Sequence, residues 1–146
     1  MVVRLAGLSD LDALVPLFDA YRQFYPKESD PGGARRFLRD RFERGQSVVF
    51  LAIDTGVPSG FTQLYPSFSS ASMAPIYILN DLFVASKARK RGIGAALLRA
   101  AADHARRAGA VRLTLSTELS NTTAQAVYER LGWKRDTVFC VYNLAL

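Results

Sequence analysis

Apolar residues along this chain recur with two spacings, one typical of strands and the other typical of helices. Short apolar runs bounded by turn residues predict strands at residues 2–8, 47–53, 60–67, 76–84, 111–116 and 139–144. Apolar residues at helical spacing, in segments that stop at proline or glycine, predict helices at about residues 10–25, 34–44, 93–108 and 122–130. The order is strand, two helices, three strands, helix, strand, helix, strand. It predicts one mixed α/β sheet layered with helices, and not the strict alternation of a doubly wound fold.

The chain has no repeat, linker or low-complexity segment. Its 146 residues correspond to about one domain at ~100–200 residues each. Residues 1–146 are therefore predicted to form a single domain. The Asp-Pro-Gly-Gly stretch at residues 30–33 is predicted to separate the first two helices.

Residue composition narrows the possible chemistry. Hydrophobic residues make up 49% of the chain and charged residues 22%, a balance that excludes disorder, collagen and coiled coil. Cys140 is the single cysteine and His104 the single histidine. An intrachain disulfide is therefore excluded, and Ser-His-Asp, Cys-His and His-ligated zinc chemistry are disfavoured. No run approaches the ~18 apolar residues of a membrane span, and the N-terminus has a strand pattern, so we expect a soluble cytoplasmic protein without a membrane partner.

Positive charge is concentrated in one part of the chain. The net charge is +6, and residues 87–112 alone hold eight Lys and Arg against one Asp. Such a field attracts anions. A nucleic-acid-binding module is one interpretation of the pI of about 9.8. However, the sequence has no helix-turn-helix, RNA-recognition or zinc signature. A second basic group, within residues 35–44, is interpreted as a solvated helix face.

A glycine turn follows the fourth predicted strand and leads into the third predicted helix. It has the sequence Arg89-Lys90-Arg91-Gly92-Ile93-Gly94-Ala95. Glycines let the backbone approach a ligand closely, and the first N–H groups of a helix bind phosphate. A Walker A loop is excluded because no Gly-Lys-Ser/Thr follows, and the match to a dinucleotide fingerprint is poor. A tight loop without a ligand is the alternative interpretation.

Two motifs in this chain resemble motifs of one protein family. The segment Arg89-x-x-Gly92-x-Gly94, after a strand that ends at 81–84 as Asp-Leu-Phe-Val, resembles the acetyl-coenzyme A signature of the GNAT acyltransferases. Asn121, then Tyr128, then the Leu-Gly-Trp of residues 131–133 is similar to a second segment of that family. The strand at 80–84 most resembles the branch of polyamine, histone and D-amino-acid acetyltransferases. The resemblance implies the single-domain acyl-CoA N-acyltransferase fold, of α/β (α+β) class, with a mixed central sheet of about seven strands and about four helices.

The same resemblance implies a cosubstrate and the residues that hold it. The cosubstrate is acetyl-CoA, with no metal. The backbone of residues 82–84 would pair with the pantetheine arm, and amides of residues 90–95 would hold the pyrophosphate. Asn121 would contact the cofactor, and Tyr128 would face the thioester sulfur as the catalytic residue. The cofactor-binding residues implied are Leu82, Phe83, Val84, Arg89, Lys90, Arg91, Gly92, Ile93, Gly94, Ala95 and Asn121. Lys90 departs from the family pattern, since many members have glycine there.

Helical spacing alone would assign Tyr128 to the core, because it recurs with Ala124, Val127 and Leu131. In the resemblance it instead gives a proton or hydrogen bond to the departing thiolate.

The acceptor side of the reaction is less defined. Tyr21, Tyr25 and Asn80 are expected to line the acceptor site, with simple packing of the tyrosines as the alternative. Relatives often carry a glutamate at the position of Asn80, and an amide cannot take a proton. Asp81 is adjacent, but strand alternation predicts that its side chain lies on the opposite face. Asp81, Glu118, a water relay and desolvation alone remain open as ways to deprotonate an amine.

The leading hypothesis is an N-acetyltransferase that moves the acetyl group of acetyl-CoA to a primary amine, on a small molecule or a lysine-like group, by direct attack. A CoA-binding sensor or scaffold without catalysis is the alternative, and a nucleic-acid-binding module is disfavoured. A homodimer is expected from the resemblance.

Overall fold

The computed structural model describes all 146 residues and divides them into two compact units, residues Met1–Ser116 and Thr117–Leu146. One sheet in the first unit contains β1 (Val2–Leu5), β2 (Val48–Asp54), β3 (Val57–Ser69), β4 (Ala74–Val84) and β5 (Leu113–Thr114). Its strands lie in chain order, antiparallel except for the parallel pair of β4 and β5. The helices of this unit are α1 (Leu11–Phe24), α2 (Pro31–Glu43) and α3 (Ile93–Arg107), and the second unit contains α4 (Thr122–Arg130).

Helices pack on both faces of the sheet. On one face, Leu14 of α1 and Leu38 of α2 form a core with Phe61 of β3. On the other face, Ile93 and Leu97 of α3 form a smaller core with side chains of β2 and β4. The sheet is therefore the middle layer of a three-layer unit.

A β-bulge interrupts the pairing of β3 with β4. Asp81 lies opposite Gln63, but Leu79 lies opposite Leu64, so Asn80 is an extra residue on β4. A bulge bends a strand and changes the direction of the side chains next to it.

The mixed α/β class with four helices is confirmed, with five strands instead of about seven. The strand predicted at 111–116 shortens to Leu113–Thr114, and residues 139–144 pair with no strand. Apolar alternation alone does not make a strand, because a strand also needs a neighbouring edge to bond with. Cys140, which lies within residues 139–144, is exposed.

The Asp-Pro-Gly-Gly stretch starts α2 instead of standing outside it. Asp30 is the N-cap, its side chain accepts a bond from the Gly33 N–H at 3.0 Å, and Pro31 is the first helical residue. Proline suits that position because its missing N–H would have no helical partner there. No helix of the protein combines the length and apolar character that crossing a bilayer requires.

Candidate active site

One edge of β4 is open near its C-terminal end. β5 pairs with β4 no further than Ile78. Just past β4, the Ala85 N–H donates to the Ser59 carbonyl on the β3 side at 2.8 Å. Successive residues of a strand direct their N–H and C=O groups to opposite edges. Leu82 and Val84 therefore direct theirs to the open edge.

Phe83, between them, has the opposite orientation. Its backbone faces β3, where it lies opposite Phe61. Its ring packs against Tyr21 of α1, with 6.4 Å between ring centroids. Of the three residues predicted to pair with an extended ligand, only the flanking two present backbone groups at the open edge.

The turn between β4 and α3 has a left-handed backbone at two positions. The φ angle is 64° at Lys90 and 78° at Gly92. The Ala96 N–H donates to the Gly92 carbonyl at 3.0 Å. The N–H groups of residues 93–95 belong to the first turn of the helix, where no earlier helical carbonyl can accept them. This helix start, with its dipole, has the geometry of an anion site, as predicted for a pyrophosphate.

Two of the three basic side chains in this turn bond within the protein. Arg89 donates from Nε to the Val84 carbonyl at 3.2 Å. Arg91 forms an ion pair with Asp54, at the end of β2, at 3.0 Å. Lys90 is exposed and forms no ion pair. Arg89 and Arg91 therefore also shape the turn, and Lys90 is the cation that is least engaged.

A cavity of about 410 Å³ lies on the opposite face of the sheet, between α1, α2 and the middle of β3 and β4. Four aromatic rings and several polar side chains form its wall. The lining residues are Phe18, Tyr21, Arg22, Asp30, Gly33, Ala34, Phe37, Tyr65, Asn80 and Asp81. Tyr21 and Asn80, expected at an acceptor site, are both in this wall. Tyr25 is not; it packs edge-on against Tyr21, with 5.1 Å between ring centroids.

Asp81 is the buried carboxylate of this cavity, and its side chain is only 3% exposed. Gln63 donates from Nε2 to one carboxylate oxygen at 2.5 Å, and Asn80 donates from Nδ2 to the other at 2.9 Å. Burial raises the pKa of Asp81 above its ordinary value, against the lowering effect of these amide bonds. The carboxyl group therefore binds a proton more readily than an exposed aspartate does.

The expectation that Asp81 lies on the face opposite Asn80 is wrong. Both side chains contribute to the cavity, and they bond to each other. The bulge at Asn80 is the reason, because the extra residue breaks the alternation on which the expectation depended.

Two tyrosines stand around this carboxylate. The Tyr21 hydroxyl donates to the Asn80 carbonyl at 3.3 Å. Burial, followed by the negative charge of Asp81, raises the pKa of Tyr21. The same two causes raise the pKa of Tyr65 to about 12. Both phenols therefore stay neutral at physiological pH.

Asp19 holds the loop between α1 and α2 in place. It is buried and accepts from the Ser29 hydroxyl and from the Asp30 N–H, each at 2.7 Å. These bonds hold the pKa of Asp19 below its usual range. Because Asp30 lines the cavity, the ionised Asp19 fixes one part of the cavity wall.

The second unit carries the remaining predicted residues. Asn121 caps α4 and accepts from the Ala124 N–H at 3.2 Å through Oδ1, so its Nδ2 hydrogens are not used by the cap. Tyr128 is half-buried and packs against Trp133, with 6.2 Å between ring centroids. Glu118 accepts from the Gln125 side chain through its backbone carbonyl.

Sequence reasoning missed most of the cavity wall. Phe18 and Phe37 lie on helices, where an apolar ring is indistinguishable from an ordinary core residue. Tyr65 of the wall lies on β3, as does Gln63, which is buried behind the wall and donates to Asp81, and no motif singles them out. A glutamine within a run of buried strand residues was the one available signal, since a buried amide needs a polar partner. No cluster of three or more metal-ligating side chains is present.

Comparison with known proteins gives a consistent result. A model of the acetyltransferase (GNAT) family matches residues 14–133. An uncharacterised N-acetyltransferase of Bacillus subtilis (strain 168), YhfO, is 51% identical over 144 residues, which cover 99% of this chain and 97% of the relative. The D-amino-acid N-acetyltransferase HPA3 of Saccharomyces cerevisiae is 25% identical over 147 residues, which cover 98% and 91%. The crystal structure of a probable acetyltransferase matches with a TM-score of 0.95 at 43% identity, covering 100% of this chain and 98% of that one.

Proposed function

The chain belongs to the GNAT family of acetyl-CoA-dependent N-acetyltransferases, and from this premise we propose that it acetylates a primary amine, on a small molecule or a lysine-like group, by direct attack on the thioester. One observation carries the choice of acceptor. The cavity wall combines aromatic rings with the Asp30 and Asp81 carboxylates, and Asp81 directly precedes the open edge of β4. Aromatic faces and carboxylates together attract an ammonium group.

The cosubstrate is proposed to bind at the open edge of β4 and at the turn before α3, on the face of the sheet opposite the cavity. In the proposal, the backbone groups of Leu82 and Val84 pair with the pantetheine arm. The amides of residues 90–95 hold the pyrophosphate, with Arg89 and Lys90 adding positive charge. Asn121 contacts the cofactor through its free amide hydrogens. The acceptor then reaches the strand edge from one face of the sheet, and the nucleotide lies on the other.

The reaction must meet three chemical requirements. A primary amine has a pKa of ~10.4, so keeping it neutral at pH 7 costs ~4.6 kcal/mol, which the site must offset. The developing oxyanion needs a donor, and the Leu82 amide at the open edge suits this role better than that of Phe83. The departing thiolate needs a proton or a strong hydrogen bond. In the proposal, the Tyr128 hydroxyl supplies it. Proton transfer from a phenol of pKa ~10 to the thiolate of a thiol of pKa ~8.5 is uphill by only ~2 kcal/mol.

A panel of amines tests this function. Thiol release from acetyl-CoA is followed with monoamines, polyamines, amino acids and a lysine peptide, together with calorimetry of acetyl-CoA binding. We expect binding and amine-dependent thiol release with at least one class. Binding without release across the panel would favour the sensor or scaffold alternative, and the absence of binding at millimolar acetyl-CoA would overturn the proposal.

The pI of about 9.8 is the reason to include a nucleic-acid control. We expect acetyl-CoA to raise the melting temperature of the protein and duplex DNA to leave it unchanged at physiological salt. A cytoplasmic location, a single domain and a homodimer also remain part of this proposal. The family match at residues 14–133 includes parts of both compact units and supports the single domain. Analytical ultracentrifugation tests the homodimer.

A further inference from the structure

We propose that Asp81 is the general base of this enzyme: it binds the ammonium form of the acceptor and removes the proton that must leave before the nitrogen can attack. This inference rests on the proposed function, because it requires an amine acceptor in the cavity. It assigns a residue to the deprotonation of the amine, the step for which the sequence left four possibilities open.

The position of Asp81 supports this role. Its carboxylate lines the cavity, and the next residue, Leu82, presents its backbone at the open strand edge. A base must lie within hydrogen-bond reach of the proton it takes, directly or through one water. An acceptor nitrogen bound at Asp81 would therefore lie one residue along β4 from the open edge.

The hydrogen bonding around Asp81 leaves room for a proton-bearing ligand. Gln63 and Asn80 each donate to one carboxylate oxygen, and the Tyr21 hydroxyl also interacts with the carboxylate. The two oxygens together can accept about four bonds, so one further donor can be accommodated. The other end of the Gln63 amide, Oε1, is buried and has no hydrogen-bond partner. A buried acceptor without a donor is unfavourable. The cluster therefore has more acceptors than donors, as a site that receives an ammonium group or a water requires.

The charged and titratable groups that face this cluster are few. Tyr21 and Arg22 come from α1, Asp30 from α2 and Tyr65 from β3. Behind them, Tyr25 acts on Tyr21 and the positive charge of Arg41 acts on Tyr65. Burial raises the pKa of both tyrosines, so they remain neutral. Asp30 is occupied as the N-cap of α2. Asp81 is then the one buried carboxylate in this wall.

The proton balance of the step is complete. The acceptor R–NH3⁺ gives one proton to the Asp81 carboxylate and becomes R–NH2. The nitrogen lone pair forms the C–N bond at the thioester carbonyl, and the C–S bond breaks with its electron pair on sulfur. The nitrogen loses a second proton, and the thiolate gains one, so the products are the amide and the free thiol. Asp81 then releases its proton to water.

The test is the pH dependence of kcat/KM for the best amine of the panel. For the wild type we expect a rise with unit slope at low pH and then a level region once Asp81 is ionised. For Asp81→Asn we expect a loss of about 100-fold or more at pH 7. We also expect a continuous unit slope up to the pKa of the amine itself, because only the pre-formed neutral amine then reacts. Asp103→Asn is the control, since Asp103 is exposed on α3 and does not line the cavity, and it should retain the level region.

A second variant makes the test independent of the folding of Asp81→Asn. Gln63→Met removes one amide bond to the carboxylate and keeps the volume, so the low-pH limb of the profile should move to higher pH. An unmoved limb in Gln63→Met, or a level region retained in Asp81→Asn, would overturn the assignment. A wild type that acetylates no amine refutes the proposed function itself, whereas an active wild type with either of those results refutes only the role of Asp81.

Discussion

Lys90 has a left-handed backbone conformation, with φ at 64°, in the turn proposed to hold the pyrophosphate. Side chains with a Cβ are disfavoured there by ~1–2 kcal/mol, and glycine is not. We expect Lys90→Gly to be more stable than Lys90→Ala by about 1 kcal/mol. The two variants lose the same charge, so the difference isolates the backbone, and urea unfolding measures it. Equal stability would mean that this residue does not hold the left-handed conformation in solution.

Tyr128 is the residue proposed to assist the leaving thiolate. Tyr128→Phe removes only the hydroxyl and keeps the ring that packs against Trp133. We expect kcat to fall at least about tenfold while acetyl-CoA affinity is unchanged, because the lost proton or hydrogen bond acts on the departing sulfur. Tyr142→Phe, in the same unit and 91% exposed, is the control and should leave kcat unaltered. An unchanged kcat in Tyr128→Phe would remove this tyrosine from the mechanism.

At the residue scale, the sequence indicated the glycine turn between β4 and α3, but only two residues of the cavity wall, Tyr21 and Asn80. The turn from Arg89 to Gly94 is local, so its function depends on the spacing of neighbours. The role proposed for Asp81 depends on the bulge at Asn80, and nothing in the sequence of β4 indicates that a residue there is extra. Tyr65 belongs to the cavity only because α1 and α2 pack across β3. Contacts of this kind depend on the tertiary arrangement and follow no sequence period.

At the element scale, α3 packs unusually close to the sheet at Gly60 of β3. A Cβ built there would lie 2.8 Å from the Phe83 carbonyl oxygen and 3.3 Å from atoms of Ile93 and Leu97. We expect Gly60→Ala to destabilise the fold by ~1–3 kcal/mol, because α3 or β4 must shift. Acetyl-CoA affinity should fall as well, since the proposed site combines the start of α3 with the edge of β4. Denaturant unfolding and calorimetry measure the two effects.

Gly7→Ala is the matched control for this variant. A Cβ at Gly7 has no atom within 4 Å, and the backbone there is extended. We expect its stability and acetyl-CoA affinity to remain at the wild-type level. If Gly60→Ala behaved in the same way, the close packing of α3 on β3 would not contribute to the site.

The elements themselves differ in how far the sequence predicted them. α4 was predicted at residues 122–130 and is observed there, because its cap and its terminal glycine are local signals. The strand at residues 139–144 was predicted from alternation and is absent, because pairing requires a partner edge. The ends of a helix thus depend on residues next to them in the sequence, whereas strand pairing depends on a partner edge elsewhere in the chain.

Across the whole molecule, buried carboxylates give stability opposite dependences on pH. Hydrogen bonding lowers the pKa of Asp10, beside Arg4, and of Asp19. Their contributions are complete above the unfolded pKa of ~3.9 and are lost as the pH falls through the native values. Burial raises the pKa of Asp81, so its contribution is complete below ~3.9 and is lost as the pH rises through its native value. The contributions of Asp10 and Asp19 therefore change below pH ~3.9, whereas that of Asp81 changes above it and in the opposite direction.

This opposition predicts how Asp81→Asn changes stability with pH. As the pH rises through the native pKa of Asp81, the wild type gains a buried charge, whereas the variant keeps a neutral amide that can donate to the unpaired Gln63 Oε1. We expect the variant to melt at a higher temperature than the wild type at pH 7, with the difference shrinking towards pH 4. Thermal unfolding from pH 4 to 8 measures it, with the exposed Asp103→Asn as a control that should show no such trend. A variant less stable than the wild type at pH 7 would mean that the buried charge adds net stability. A loss of activity accompanied by a gain in stability is the combination expected of a base held in an unfavourable environment for its chemistry.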